Sequence, residues 1–148
     1  MKIINKMKLE FISKSVNEAF ARTAVSGFIS CLDPTVEEIS DIKTALSEAV
    51  TNSVVHGYKD NIGIITITAA IYDNNKVSIR IKDKGIGIED VKKARQPLFT
   101  TCITGERAGL GFAVMESMMD KIKVSSTYHK GTTVIMEKTI KSKENANV

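Results

Sequence analysis

The stretch Ser47–Gly57, SEAVTNSVVHG, decides how the rest of the chain is read. As a helix it puts Glu48, Asn52 and His56 at i, i+4 and i+8, on one face. Ile42, Leu46, Val50 and Val54 fall at helical spacing on another face. One side can dock on a sheet while the other presents a carboxylate, an amide and an imidazole. The amide oxygen of Asn52 is a hard ligand suited to Mg²⁺, an ion that keeps several waters and binds few protein groups beside phosphates. Glu48, one turn earlier, can orient an attacking hydroxyl or water, or accept its proton. An ordinary solvated helix face would read the same way, so the decision rests on residues further along.

Downstream, Gly63–Ile71 is a β-rich run, Asp73-Asn74-Asn75 is a turn by composition, and Lys76–Asp83 alternates strictly. Val77, Ile79 and Ile81 point inward, and period two carries Asp83 to the same side. An acid at the core end of an apolar strand face needs a partner. It can cap the following turn, or accept a hydrogen bond from the exocyclic amine of a buried ligand such as adenine. Gly85 and Gly87 follow in DKGIGI, where the backbone can pass close to a flat ligand. Glu89-Asp90 opens a short helix, Val91–Arg95, stopped before Pro97, with Leu98 and Phe99 as apolar anchors. The stretch TTCITGERA, 100–108, has little periodicity and the composition of a lid. Gly109-Leu110-Gly111 then opens a helix to about Met119, with Leu110, Val114, Met115 and Met118 inward. Backbone N–H groups at such a turn favour phosphate oxygens, and Arg107 can reach a terminal phosphate. The strands Lys121–Thr127 and Thr132–Thr139 close the pattern. Their turn holds His129, expected as an exposed loop residue, and Thr132 opens the last strand beside Asp83.

Upstream, Met7–Ser13 reads as a first strand with Leu9 and Phe11 on one side. Ser15 and Glu18 form a capping-box pattern for a helix reaching about Leu32. Val16, Phe20, Ala24, Phe28 and Cys31 are expected inward, with Arg22 elsewhere on that helix. Asp33-Pro34 breaks it, and Thr35 and Glu38 form a second capping box.

With 148 residues and 43% hydrophobic content, one domain with one core is expected. Aromatics at 5% argue against base-stacking nucleic-acid platforms, and the net charge of +4 is mild. Cys31 and Cys102 make no metal spacing and no disulfide framework, which fits a reducing cytoplasm. The chain shows no membrane-span run and no signal-peptide h-region, and the polar tail 141–148 is expected to fray.

The order of motifs carries a resemblance. E-x-x-x-N on a helix, D-x-G-x-G after a strand, G-L-G opening a helix and G-T-T opening a strand resemble the N, G1, G2 and G3 boxes of the GHKL ATPase superfamily. That superfamily includes gyrase B, Hsp90, histidine kinases and MutL, and the ordered set is far more specific than any one box. The resemblance implies a Bergerat-type two-layer α/β sandwich: a mixed sheet of about five strands with helices on one face, and ATP between them under a lid. LDPTVEEISDIKTALSEAVTNSVVHGY, ARQPLFTT and ERAGLGFAVME resemble more closely the sporulation anti-sigma-F factors within it.

That resemblance implies an ATP- and Mg²⁺-dependent protein serine kinase. As a homodimer it would hold the RNA polymerase sigma factor sigma-F and phosphorylate a serine of the anti-anti-sigma factor, protein AA. By position, Glu48 matches the catalytic base and Asn52 the Mg²⁺ ligand. Asp83 matches the adenine-reading acid, with Gly85, Gly87 and Thr132 around the purine. Thr100, Thr101, Arg107, Gly109, Leu110 and Gly111 match the lid and phosphate-binding turn. Arg22 matches a helix arginine touching sigma factor and antagonist, and the first strand and helix match the dimer interface. The stretch Cys102-Ile103-Thr104-Gly105 departs from the family's more charged lid. Neither nucleic acid nor membrane is implied as a direct partner. A stress-response serine-kinase anti-sigma factor, or a nucleotide-dependent sigma-binding module without significant turnover, remains open. A histidine-kinase catalytic domain would ordinarily carry Asn at position 48, and an ATPase motor needs a transducer domain.

Overall fold

The computed structural model describes residues 1–96 and 111–141. Five strands, β1 (Ile3–Ile12), β2 (Ile64–Tyr72), β3 (Lys76–Asp83), β4 (Lys121–Thr127) and β5 (Gly131–Thr139), form one sheet in the order β1-β2-β3-β5-β4. The helices are α1 (Asn17–Ile29), α2 (Val36–Asn52), the short α3 (Val91–Ala94) and α4 (Gly111–Met118). They cover one face: Ile65, Ile67, Val77, Ile79, Ile81, Val134 and Met136 share a core with Ile42, Leu46, Val50 and Met115. On the opposite face Lys8, Glu10, Arg80 and Lys82 are exposed. The two-layer arrangement is the expected one.

The sheet is antiparallel throughout, where a mixed sheet was expected. The cause is the last hairpin. β4 folds to the edge and β5 returns between it and β3, so β3 and β4, which run the same way, are not paired.

Most strand limits agree with the alternation, and β3 does so residue for residue. β1 begins earlier than expected, because Ile3 already faces Tyr72 at the far end of β2. At its other end Ser13 leaves the strand, its N–H donating to the Gly63 carbonyl at 2.9 Å. The capping box at Thr35 is present: its hydroxyl accepts from the Glu38 N–H at 3.1 Å, and the Glu38 carboxylate accepts from the Thr35 N–H at 2.9 Å. Such a cap stabilises a helix by about 1 kcal/mol. Glu38 also accepts from the Lys141 N–H at 2.8 Å, holding the chain just past β5. Residues 142–148, expected to fray, lie outside the described residues.

The expectations for α1 need correction in two respects. Its buried row is Ala21, Val25 and Ile29, with Phe28 and Leu32 packed alongside. Val16 is 76% exposed, Phe20 is 53% exposed and Cys31 is exposed. The sequence holds two apolar rows one residue apart, and the row beginning with the small Ala21 is the one that packs. The expected capping box at Ser15 is not formed; Val16 is the N-cap and makes no side-chain bond. The Glu18 carboxylate is instead taken by Arg22 and Thr51.

Candidate nucleotide site

α2 ends in an unusual way. After Asn52 the chain makes one π turn, Ser53–Gly57, closed by the Tyr58 N–H donating to the Ser53 carbonyl at 2.9 Å. Such wide turns often mark functional positions. His56 falls within this turn and lines a cavity of about 700 Å³ with Lys59, Ile86, Gly87 and Tyr128. Glu48 and Asn52 form the pair of the expected row that stands before the turn.

That pair meets Gly111. A Cβ added at Gly111 would lie 3.3 Å from Glu48 Oε2 and 3.3 Å from Asn52 Nδ2. The first described residue of α4 thus rests directly against both side chains, and a glycine there leaves room beside them.

Ser53, the residue after Asn52, donates its hydroxyl hydrogen to Asp83 Oδ2 at 2.7 Å. Asp83 is 4% exposed, on the inward side of β3 as the alternation requires. Its Oδ1 accepts from the Gly85 N–H at 2.9 Å and the Thr132 N–H at 3.3 Å. Of the two expected uses of this acid, the turn cap is formed. A carboxylate offers about four acceptor positions, so three donors leave one for a ligand amine. Thr132 sits opposite Asp83 in the β3–β5 ladder, its hydroxyl 2.9 Å from that of Ser126.

The glycines bring the turns of this corner close together. A Cβ at Gly85 would lie 2.3 Å from the Gly57 carbonyl oxygen, so the turn after β3 and the π turn touch backbone to backbone. Gly87 has φ +78°, a conformation that favours glycine. Two residues not anticipated from sequence support this corner. Ser53 is one. Tyr58 is the other: its hydroxyl donates to the Ile64 carbonyl at 2.6 Å and accepts from the Lys84 N–H at 2.8 Å.

Arg22 lies apart from Asp83 and shares a groove with Glu48. Its Nη1 donates to Glu18 Oε1 at 2.8 Å and to Ser47 Oγ at 3.0 Å. A groove of about 510 Å³ between α1 and α2 is lined by Arg22, Val36, Lys43, Ser47 and Glu48. The described residues contain no cluster of three His, Cys, Asp or Glu fit for a metal ion. A Mg²⁺ held by one amide oxygen and phosphates would not form such a cluster. Thr100, Thr101, Arg107, Gly109 and Leu110, the lid expected over 100–108 and the anchors expected at Leu98 and Phe99 lie outside the described residues. The methionines do what their composition implies: Met115 and Met119 are buried and Met118 packs on the core. No helix among the described residues is long and apolar enough to cross a membrane.

The family model for the histidine kinase-like ATPase domain matches residues 13–138. The chain is 58% identical over 142 residues to a protein named anti-sigma F factor from Thermoanaerobacter pseudethanolicus, covering 96% of this chain and 99% of that one. It is 59% identical over 140 residues to one of the same name from Caldanaerobacter subterraneus subsp. tengcongensis, covering 95% and 97%. Among solved structures, it matches the RsbU and RsbW domains of a Mycobacterium tuberculosis protein with a TM-score of 0.65. The match is at 18% identity and covers 92% of this chain and 32% of that one, a likeness of fold.

Proposed function

The chain belongs to the histidine kinase-like ATPase domain family, and on that premise we propose that it is a serine-kinase anti-sigma factor of the sporulation type. It would bind sigma-F and transfer phosphate from ATP to a serine of an anti-anti-sigma protein in the cytoplasm. The observation that carries this reading is the convergence of Glu48, Asn52, Ser53 and Asp83: two side chains on Gly111, and the next residue on the buried acid. The donor set fits a nucleotide. The open acceptor position on Asp83 suits an adenine amine, and the Asn52 amide oxygen suits a Mg²⁺ carried by phosphates.

ATP, when bound, supplies the phosphoryl group, and its Mg²⁺ neutralises charge that develops on the phosphate oxygens. The chain supplies position. Asp83, braced by Ser53, holds the purine end, with Gly85, Gly87 and Thr132 around it. Asn52 offers its amide oxygen to Mg²⁺. Glu48 orients the acceptor serine hydroxyl and takes its proton, a contribution of roughly 10²–10⁴ in rate. Thr100, Thr101, Arg107, Gly109 and Leu110 would complete the phosphate side and lid.

The partner reading rests on Arg22. It lines the same groove as Glu48, so a protein engaging the arginine lies over the proposed catalytic carboxylate. Sigma factor and antagonist would then compete for overlapping surface. A homodimer is supported by the apolar groups left outside the core, Val16 at the cap of α1, Phe20 on α1 and Ile3, Ile4 and Ile12 on β1. β1 is also an edge strand, bonded only to β2.

Labelled ATP tests the reading. Incubated with sigma factor and anti-anti-sigma protein, the chain should place label on a serine of the latter. Free phosphate alone would mark an ATPase, and sigma binding without either product would mark a binding module.

A further inference from the structure

Glu18 belongs to no motif of the pocket, yet it joins the two helices that matter most. It lies in the first turn of α1. One carboxylate oxygen accepts from Arg22 Nη1 at 2.8 Å and the other from the Thr51 hydroxyl at 2.7 Å. Arg22 Nη1 also donates to the Ser47 hydroxyl at 3.0 Å. The result is a closed strut: Glu18 and Arg22, one turn apart on α1, grip Ser47 and Thr51, one turn apart on α2. The residues that follow those two are Glu48 and Asn52. The strut therefore holds the row adjacent to the proposed catalytic row, on the same two turns of helix.

We propose that Glu18 is a positioning residue through which occupancy at Arg22 and occupancy of the nucleotide pocket influence each other. The inference rests on the partner and nucleotide sites of the proposed function. A protein that draws on the Arg22 guanidinium competes with Glu18 and Ser47 for it. Any shift in those bonds reaches α2 beside Glu48 and beside Asn52. In the other direction, a nucleotide that moves this turn changes how Arg22 is held. Coupling of this kind is reciprocal, so one ratio measures it from either side. An isolated Glu–Arg pair at i, i+4 on a helix surface would do none of this and would only stabilise α1 slightly. The Thr51 bond distinguishes the two cases, because it ties the same carboxylate to the other helix.

The test compares wild type, Glu18→Gln and Glu18→Ala in the full chain. Dissociation constants for purified sigma-F are measured with ATP and with ADP. Coupled sites ordinarily differ by about 5–150-fold, and wild type is expected in that range. Glu18→Ala should bring the ratio toward one, and Glu18→Gln, which keeps an acceptor for Thr51, should fall between. A full wild-type ratio in Glu18→Ala overturns the inference. Amide hydrogen exchange over residues 47–52 in the partner-free protein supplies a second reading. Faster exchange in Glu18→Ala, concentrated at that turn, is expected; unchanged protection overturns the inference. If wild type does not bind sigma factor at all, the proposed function fails, and the exchange measurement alone decides whether Glu18 positions α2.

Discussion

Ser53 and Asp83 bond across 2.7 Å between the end of α2 and the end of β3. Because Ser53 follows Asn52 directly, this one contact fixes the distance between the amide proposed for Mg²⁺ and the acid proposed for adenine. Both partners are buried. The end of α2 and the end of β3 are therefore joined as one wall of the proposed site rather than two walls that meet only on a ligand.

Asp83→Asn separates binding from folding. The amide oxygen can still accept from the Gly85 and Thr132 N–H groups, and the Ser53 hydroxyl can turn to accept from the new NH₂. Stability should change by less than about 1.5 kcal/mol, the worth of a typical hydrogen bond. The new NH₂ opposes a ligand amine, donor against donor, so ATP affinity should fall at least about tenfold, or roughly 1.4 kcal/mol. Isothermal titration with ATP and urea unfolding measure the two quantities; wild-type affinity would remove Asp83 from the purine site.

Glu48→Ala should abolish most phosphoryl transfer, by about 10²–10⁴, with ATP binding largely intact. Single-turnover transfer to the anti-anti-sigma protein is the measurement. Survival of transfer at the wild-type rate would mean that Glu48 is not the base.

Gly111→Ala places a methyl group 3.3 Å from Glu48 Oε2 and Asn52 Nδ2, tighter than an ordinary contact. Both neighbours are side-chain ends that can move aside. The melting temperature should therefore hold while transfer falls about tenfold. A variant with wild-type turnover would show that the fit of Gly111 against the pair has no catalytic weight.

Leu46→Ala addresses the seat of α2 on the sheet. Leu46 is fully buried. Its truncation should cost about 2–5 kcal/mol, read from the urea midpoint and slope. A loss under about 1 kcal/mol would contradict the packing described for α2.

How much of this was legible in the sequence depended on how many readings a segment allowed. β3 alternates without exception, so its inward face and the burial of Asp83 followed from period two. α2 carried a capping box and one apolar stripe, and both formed. α1 offered two stripes, and only packing against α2 and the sheet selects the row of Ala21, Val25 and Ile29. Glu18 matched a local capping pattern, but Arg22 and Thr51 supplied stronger donors. Ser53 was hidden for one reason: the acid it bonds, Asp83, lies on a strand far along the chain, and no local pattern pairs them. The antiparallel sheet was out of reach for another, since strand order is decided by which edge the last hairpin joins.

A crystal structure with a non-hydrolysable ATP analogue and Mg²⁺ tests the central claim most directly. The purine amine should lie within hydrogen-bond distance of Asp83, and the metal should contact the Asn52 amide oxygen, with the phosphates beside Gly111. A nucleotide bound elsewhere, or one whose purine leaves Asp83 bonded only to Ser53, Gly85 and Thr132, would contradict it.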